Sequence, residues 1–325
     1  MIKIWGTSFS LIGDLIMSLP QLKYFKKKHK DPYINFVIHK KIAYCAPLFF
    51  NHPDIDKIII SGEWSSFDST DYNIASKCDV VTTKLDHKNK KILDRYHEDK
   101  YWYNKRSCIE ETALMSGITD FNEILSENEK IPYLNKWFDS GFENIQKKAA
   151  YTYEKVDSKK NDILSKSVAV WPFAGYARSK NRNPSLNWWK NLVSDFNKKS
   201  IKVFHFGYIN EPNLSEDNTY YEKLTDLDFF SQIKISIGSK LSIGTDSGSM
   251  WVLGAYSHPS LIISTNWYEN HKSNLSATIP PNINSEVIFK ENGFESLSVE
   301  EVLEKSIKRR VSSVSKIDKV LSFFK

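Results

Sequence analysis

The stretch Thr245-Asp246-Ser247-Gly248-Ser249 sets a carboxylate, hydroxyls and a glycine between a short apolar run ending at Gly244 and an apolar segment, Met250 to Ala255. A strand that ends in such a small-residue turn and opens a helix leaves the first helical N–H groups without intrahelical acceptors. Those donors, together with the positive end of the helix dipole, suit a phosphate. Asp246, Ser247 and Ser249 are also each fit to be an N-cap, which would make the turn a plain helix start. A second cluster follows an earlier apolar strand: after the small-residue loop Pro172, Ala174, Gly175, the residues Arg178, Lys180 and Arg182 place three cations in five positions. Cations there can meet a diphosphate, or they can form a solvated basic loop. The third candidate is Asp14, beside Gly13 at the beginning of a helix-spaced run. A carboxylate where a strand's carboxyl end meets a helix N-terminus lies at the edge where open α/β sheets bind ligands. An acid that merely complements the helix dipole would occupy the same position.

The elements that must hold these residues are legible as apolar patterns. Met1 to Trp5 forms a first strand, and Leu11 to Lys28 has apolar residues at Ile12, Leu15, Ile16, Leu19, Leu22 and Phe25, one helical face. Ile34 to Ile38, Lys57 to Ile60 and Asp79 to Thr83 are further strands, Ala43 to Phe50 a short helix and Ser107 to Ser116 another. Strand and helix in this rhythm mean a parallel sheet with crossover helices. Thr83 to Trp102 is charged and irregular; its His87 and His97 suit a solvated surface. Ala149 to Lys166, polar and lysine-rich after an amphipathic stretch, marks a linker. The pattern then restarts: strand Ser167 to Trp171, helix Asn187 to Phe196, strand Lys202 to Phe206 ending in Gly207 with Glu211 four residues on, and helix Asp228 to Ile237. Strand Leu241 to Gly244, the turn already described, strand Ser260 to Ser264, helix Val299 to Lys308 and a basic amphipathic Ser312 to Lys325 complete the chain. The expected division is 1–155, 166–300 and a C-terminal basic helix, 301–325. That helix packs back on the domains or rests on anionic lipid.

With 325 residues, two domains are expected, and 41% hydrophobic residues with 14% aromatics supply sizeable cores and argue against disorder. The formal charge of +6 is mild; it suits anionic ligands or a membrane surface and does not require nucleic acid, for which no zinc-finger, helix-turn-helix or RNP signature is present. Cys45, Cys78 and Cys108 form no CxxC pair and have no nearby histidine set, so neither a disulfide framework nor a metal site is expected. The start MIKIWGTS reads as a strand and not a leader, which implies a soluble protein of a reducing compartment.

Four segments in order resemble glycosyltransferase family 9, the ADP-heptose:lipopolysaccharide heptosyltransferases and their relatives. They are Gly13 to Pro20 (GDLIMSLP), followed by INFVI and NHPDIDKII; then WPFAGYARSK, FHFGYINE and DSGSMWVLGAYSHP. The resemblance implies a GT-B fold, two Rossmann-like domains with parallel sheets facing a central cleft. It implies an inverting, metal-independent glycosyltransferase that takes a nucleotide-diphospho-sugar as co-substrate, with no other cofactor. The acceptor would be a hydroxyl of a lipopolysaccharide-type or other cell-surface glycan or glycolipid, and the location cytoplasmic, with peripheral contact on the inner face of the membrane. By the same comparison Asp14 is similar to the family's catalytic base, and Lys180 or Arg182 to its phosphate-binding lysine. Glu211 resembles the acid near the nucleotide ribose. Asp246, Ser247, Gly248 and Ser249 are similar to the diphosphate-binding turn, and Gly13, Ala174, Gly175, Arg178 and Gly207 belong to the matching loops. The chain departs from the pattern at Trp251, where the family has histidine; an indole donates one N–H but cannot titrate. An epimerase or hydrolase of the same fold, or a nucleotide-sugar-binding protein without turnover, are the alternatives.

Overall fold

The computed structural model describes residues 3–5, 11–50, 52–61, 78, 80–81, 108–116, 118–134, 166–174, 182–265, 284–290 and 292–309. The expected linker up to residue 165, the histidines of the 83–102 stretch and the basic tail beyond 309 lie outside them. Contacts divide the chain into two units, Met1–Ile145 with Asn270–Pro281, and Gln146–Glu269 with Asn282–Lys325.

The first unit is built on β1 (Lys3–Trp5), β2 (Tyr33–His39), β3 (Lys57–Ser61) and β4 (Val80–Val81), all parallel in the order β3-β2-β1-β4. Six consecutive residues of β2 are buried, as in a strand covered on both faces. The helical run after β1 is two helices, α1 (Ile12–Met17) and α2 (Pro20–Lys28), not the one expected from its apolar spacing. Pro20 has no N–H to continue the ladder. Around the break the amides of Leu19, Gln21 and Leu22 instead bond three residues back, at 3.1, 3.0 and 3.0 Å. Both helices still bury the predicted face, through Leu15, Ile16, Leu22 and Phe25. The short helix expected at 43–50 is a 3-10 segment, Lys40–Phe49, with Pro47 inside it and Ile42 outside helical backbone geometry. Helices α3 (Cys108–Met115) and α4 (Phe121–Ile124) follow; Tyr24 and Lys28 of α2 both reach Asp120 before α4, at 2.6 and 2.7 Å.

The second unit has six parallel strands: β5 (Val168–Trp171), β6 (Val203–His205), β7 (Tyr221–Lys223), β8 (Leu241–Thr245), β9 (Ser260–Thr265) and β10 (Ser285–Lys290). Their order, β10-β9-β8-β5-β6-β7, is that of a doubly wound sheet whose direction of winding reverses between β5 and β8. Helix α5 (Leu186–Lys198), capped by the Ser185 hydroxyl on the Trp188 amide at 3.1 Å, lays Trp189, Leu192, Val193 and Phe196 on one face of the sheet. α6 (Phe229–Gly238), capped by Asp228, and α7 (Gly248–Ala255) complete the described crossovers, and Met250 to Ala255 of α7 are all buried. Helix α8 (299–309) spans the expected boundary at 300/301 and adds Val302 and Leu303 to the core of this unit. Its Lys305 and Arg309 hold Glu286 of β10, at 2.7 and 3.1 Å.

Candidate functional site

Winding in opposite directions from β5 and β8 opens a crevice at their carboxyl ends, the place where doubly wound sheets take ligands. Four of the sequence candidates lie there. β8 ends at Thr245, Asp246 continues the ladder by donating its amide to Ile263 at 3.1 Å, and Ser247, extended at φ −152°, is the N-cap of α7. Ser247 makes no side-chain cap, so the amides of Gly248, Ser249 and Met250 keep the donor capacity that a helix start leaves over. The first intrahelical bond is from Trp251 to the Ser247 carbonyl, 3.1 Å. Close approach of this turn to β5 depends on Gly244, paired with Trp171: a Cβ there would lie 2.7 Å from Met250 Sδ and 2.9 Å from the Trp171 carbonyl oxygen. Asp246 is buried and Ser247, Gly248 and Ser249 are half-buried. The fully buried Thr245 hydroxyl has no hydrogen-bond partner among the described residues.

The loop after β5 meets that turn. Arg182 donates from Nη2 to the main-chain carbonyl of Asp246 at 3.1 Å, bringing a guanidinium to the start of α7. Asn183 closes the loop: its Oδ1 accepts the Ala174 amide at 2.8 Å and its Nδ2 donates to the Ala174 carbonyl at 3.5 Å. Ala174 is thus buried and committed to Asn183. Gly175, Arg178 and Lys180 lie outside the described residues.

The loop after β6 is braced by a buried polar chain. Leu214 donates its amide to the Tyr221 hydroxyl at 3.0 Å, and the same hydroxyl lies 2.8 Å from His205 Nδ1, to which it donates when the ring is neutral with its proton on Nε2, facing Glu211. With Nδ1 accepting, the imidazole carries its proton on Nε2 and donates it to Glu211 Oε2 at 3.0 Å. Burial pushes the His205 pKa down, against the pull of Glu211, which agrees with a neutral ring. The other Glu211 oxygen accepts the Tyr208 amide at 3.0 Å, and Lys223 Nζ donates to the Glu211 main-chain carbonyl. Gly207, at φ +148°, exchanges hydrogen bonds with the Gln232 side chain at 2.9 and 3.1 Å. Both Glu211 oxygens are therefore taken up inside the unit, and the carboxylate shapes this turn.

In the first unit Asp14 is half-buried in the first turn of α1, after β1, with Gly13 beside it. Trp251 is only 4% exposed, packed within α7. Sequence reasoning passed over Asn183, His205, Tyr221 and Gln232, which clamp the two loops. Isolated polar residues with partners up to 25 positions away leave no periodic signal. Among the described residues no group of three or more His, Cys, Asp or Glu is placed to hold a metal ion, and no helix is long and apolar enough to cross a membrane.

No protein-family profile matches the chain, and no curated protein matches it significantly in sequence. Solved structures do match it from end to end. The E. coli ADP-heptose lipopolysaccharide heptosyltransferase II superposes with a TM-score of 0.68 at 15% identity, covering 96% of this chain and 99% of its own. A glycosyl transferase of family 9 from Veillonella parvula gives 0.65 at 14% identity, covering 96% and 97%. The E. coli heptosyltransferase WaaC, solved with ADP, gives 0.56 at 12% identity, covering 95% and 100%. The fold is the α/β, parallel-sheet fold of the GT-B glycosyltransferases.

Proposed function

We propose that the protein is an inverting glycosyltransferase that moves a sugar from a nucleotide-diphospho-sugar to a hydroxyl of a cell-surface glycan. The observation that carries this reading is the placement of Asp246-Ser247-Gly248-Ser249 at the β5/β8 crevice, with Arg182 bonded to the same turn. Amides of Gly248 to Met250 and the Ser247 and Ser249 hydroxyls take the diphosphate oxygens, and Arg182, together with Lys180, neutralises the charge that builds on the departing diphosphate. Asp14 takes the proton from the acceptor hydroxyl as its oxygen bonds to the anomeric carbon and the bond from that carbon to the diphosphate breaks. Gly207 and Glu211 hold the β6 loop beside the donor. Positive charge and amides supply the electrostatics, so a metal ion is not required in this scheme. The solved relative with ADP makes adenine nucleotides the first to test.

The experiment is turnover of ADP-heptose, followed as ADP released, with and without lipopolysaccharide core acceptor and with and without EDTA. Wild type turns over in both metal conditions. Asp14→Asn loses on the order of a hundredfold or more, the scale of a general base, while it keeps nucleotide affinity. Equal turnover by wild type and Asp14→Asn would remove Asp14 from the reaction. Nucleotide binding with no turnover of any donor would make the protein a binding protein.

A further inference from the structure

The most exposed large apolar side chains among the described residues are neighbours: Tyr208, 61% exposed, and Ile209, 65%. Single exposed apolar residues are ordinary, but this pair sits at the tip of a turn that the protein holds rigid. Gly207 is fastened to Gln232 through both its amide and its carbonyl. The Tyr208 amide is held by Glu211 Oε1, and the Tyr208 carbonyl accepts the Glu211 amide at 3.0 Å. Lys223 ties the carbonyls of Ile209 and Glu211 to β7, and Glu211 is anchored in turn on His205 and Tyr221. A mobile loop could fold such side chains away. A braced one keeps them in water, where they are pre-organised for an apolar, flat partner.

The turn's position says which partner. It leaves the carboxyl end of β6, and β6 pairs with β5 on the side opposite β8. Two strand spacings, about 10 Å, therefore separate the start of the β6 turn from the end of β8. A nucleoside diphosphate whose phosphates lie at the N-terminus of α7 has its ribose and base to place along that same edge. We infer that Tyr208, flanked by Ile209, is the face on which the donor's nucleobase packs, with the Gly207–Glu211 turn as its rigid mount. This rests on the nucleotide-sugar reading of the crevice. The contact is stacking, so it adds affinity for any base and favours the larger purines by area.

The test is calorimetric titration of wild type, Tyr208→Ala and Tyr208→Phe with ADP, GDP and UDP. Because Tyr208 is solvent-exposed, neither substitution disturbs the core. Tyr208→Ala weakens ADP roughly 5- to 150-fold, the range for loss of one base–aromatic stack, and Tyr208→Phe, which keeps the ring, stays within about twofold of wild type. Undiminished ADP affinity in Tyr208→Ala, alongside a binding wild type, overturns this inference and leaves the donor reading standing. A wild type that binds none of the three nucleotides overturns both.

Discussion

Replacing Gly207 by alanine tests the β6 turn directly. The added Cβ would lie 2.3 and 2.4 Å from Oε2 and Oε1 of Glu211 and 2.5 Å from its Cδ, well inside contact distance. The carboxylate must swing away, which breaks its bonds from His205 Nε2 and the Tyr208 amide. Hydrogen bonds to a charged group contribute about 1.5–3 kcal/mol each, so at the lower end this displacement costs about 3 kcal/mol. A non-glycine residue at φ +148° adds strain of about 1–3 kcal/mol. The sum, about 4–6 kcal/mol, lowers the urea midpoint of the second unit by about 2–3 M at a typical slope of about 2 kcal/mol/M. Removing the obstacle exposes the cause: in a Glu211→Ala background the same glycine replacement costs only the strain, about 1–3 kcal/mol. The two substitutions therefore couple by about 3 kcal/mol, as contacting residues do. Urea unfolding of the four proteins, read by tryptophan fluorescence and by hydrogen exchange of β6 peptides, measures the cycle. Additive single and double mutants would refute the steric account, and so would a Gly207→Ala midpoint within 0.5 M (roughly 1 kcal/mol) of wild type.

Three further outcomes are expected. His52 and His205 are buried with pKa values held below the ordinary 6.5, so as pH falls below about 6.5 the unfolded chain takes up protons that the folded one refuses. Stability present above that pH is lost toward the folded-state values, by at most about 1.4 kcal/mol per pH unit for each ring; urea midpoints that rise from pH 7 to pH 5.5 would contradict this. Burial pushes the Cys45 thiol up to about 12, so it resists alkylation at pH 8 in the native protein and reacts after urea unfolding; labelling at the same rate in both states would refute its burial. Asn183→Ala frees the Ala174 amide and carbonyl from their shared clamp and lets the loop bearing Arg182 move, so nucleotide affinity falls by about tenfold, one lost hydrogen bond's worth, in the same calorimeter. Wild-type affinity in that variant would show that the loop does not depend on the clamp.

Strands with dense apolar runs, such as INFVI and SLIIS, announce themselves because both faces of a parallel sheet are covered. β7 and β10 do not: Tyr221-Glu222-Lys223 buries one residue of three, and Ser285–Lys290 buries only Ile288 at the sheet's edge. The single helix expected over 11–28 failed at Pro20, where a missing donor outweighs a continuous apolar face. The turn at Asp246 to Ser249 was visible because a helix start is a local event, written in adjacent residues. The His205–Glu211–Tyr221 chain was not, since it is made by a fold that brings together separate strands. Position in a motif matched Glu211 to an acid near the nucleotide ribose but carried no sign of its bonds to His205 and the Tyr208 amide, which only the folded turn supplies.

The central claim is that the amides at the start of α7 hold a nucleoside diphosphate. Gly248→Pro removes one of those amides while suiting its place: proline is at home in the first helical turn, and Ser247 before it is already extended. Titration of wild type and Gly248→Pro with ADP, GDP, UDP and CDP is the most direct measurement. At least one of the four binds wild type, and its affinity falls about tenfold or more in the variant, as expected for one lost charge-assisted hydrogen bond. Failure of all four to bind wild type, or equal affinity for both proteins, would contradict the account.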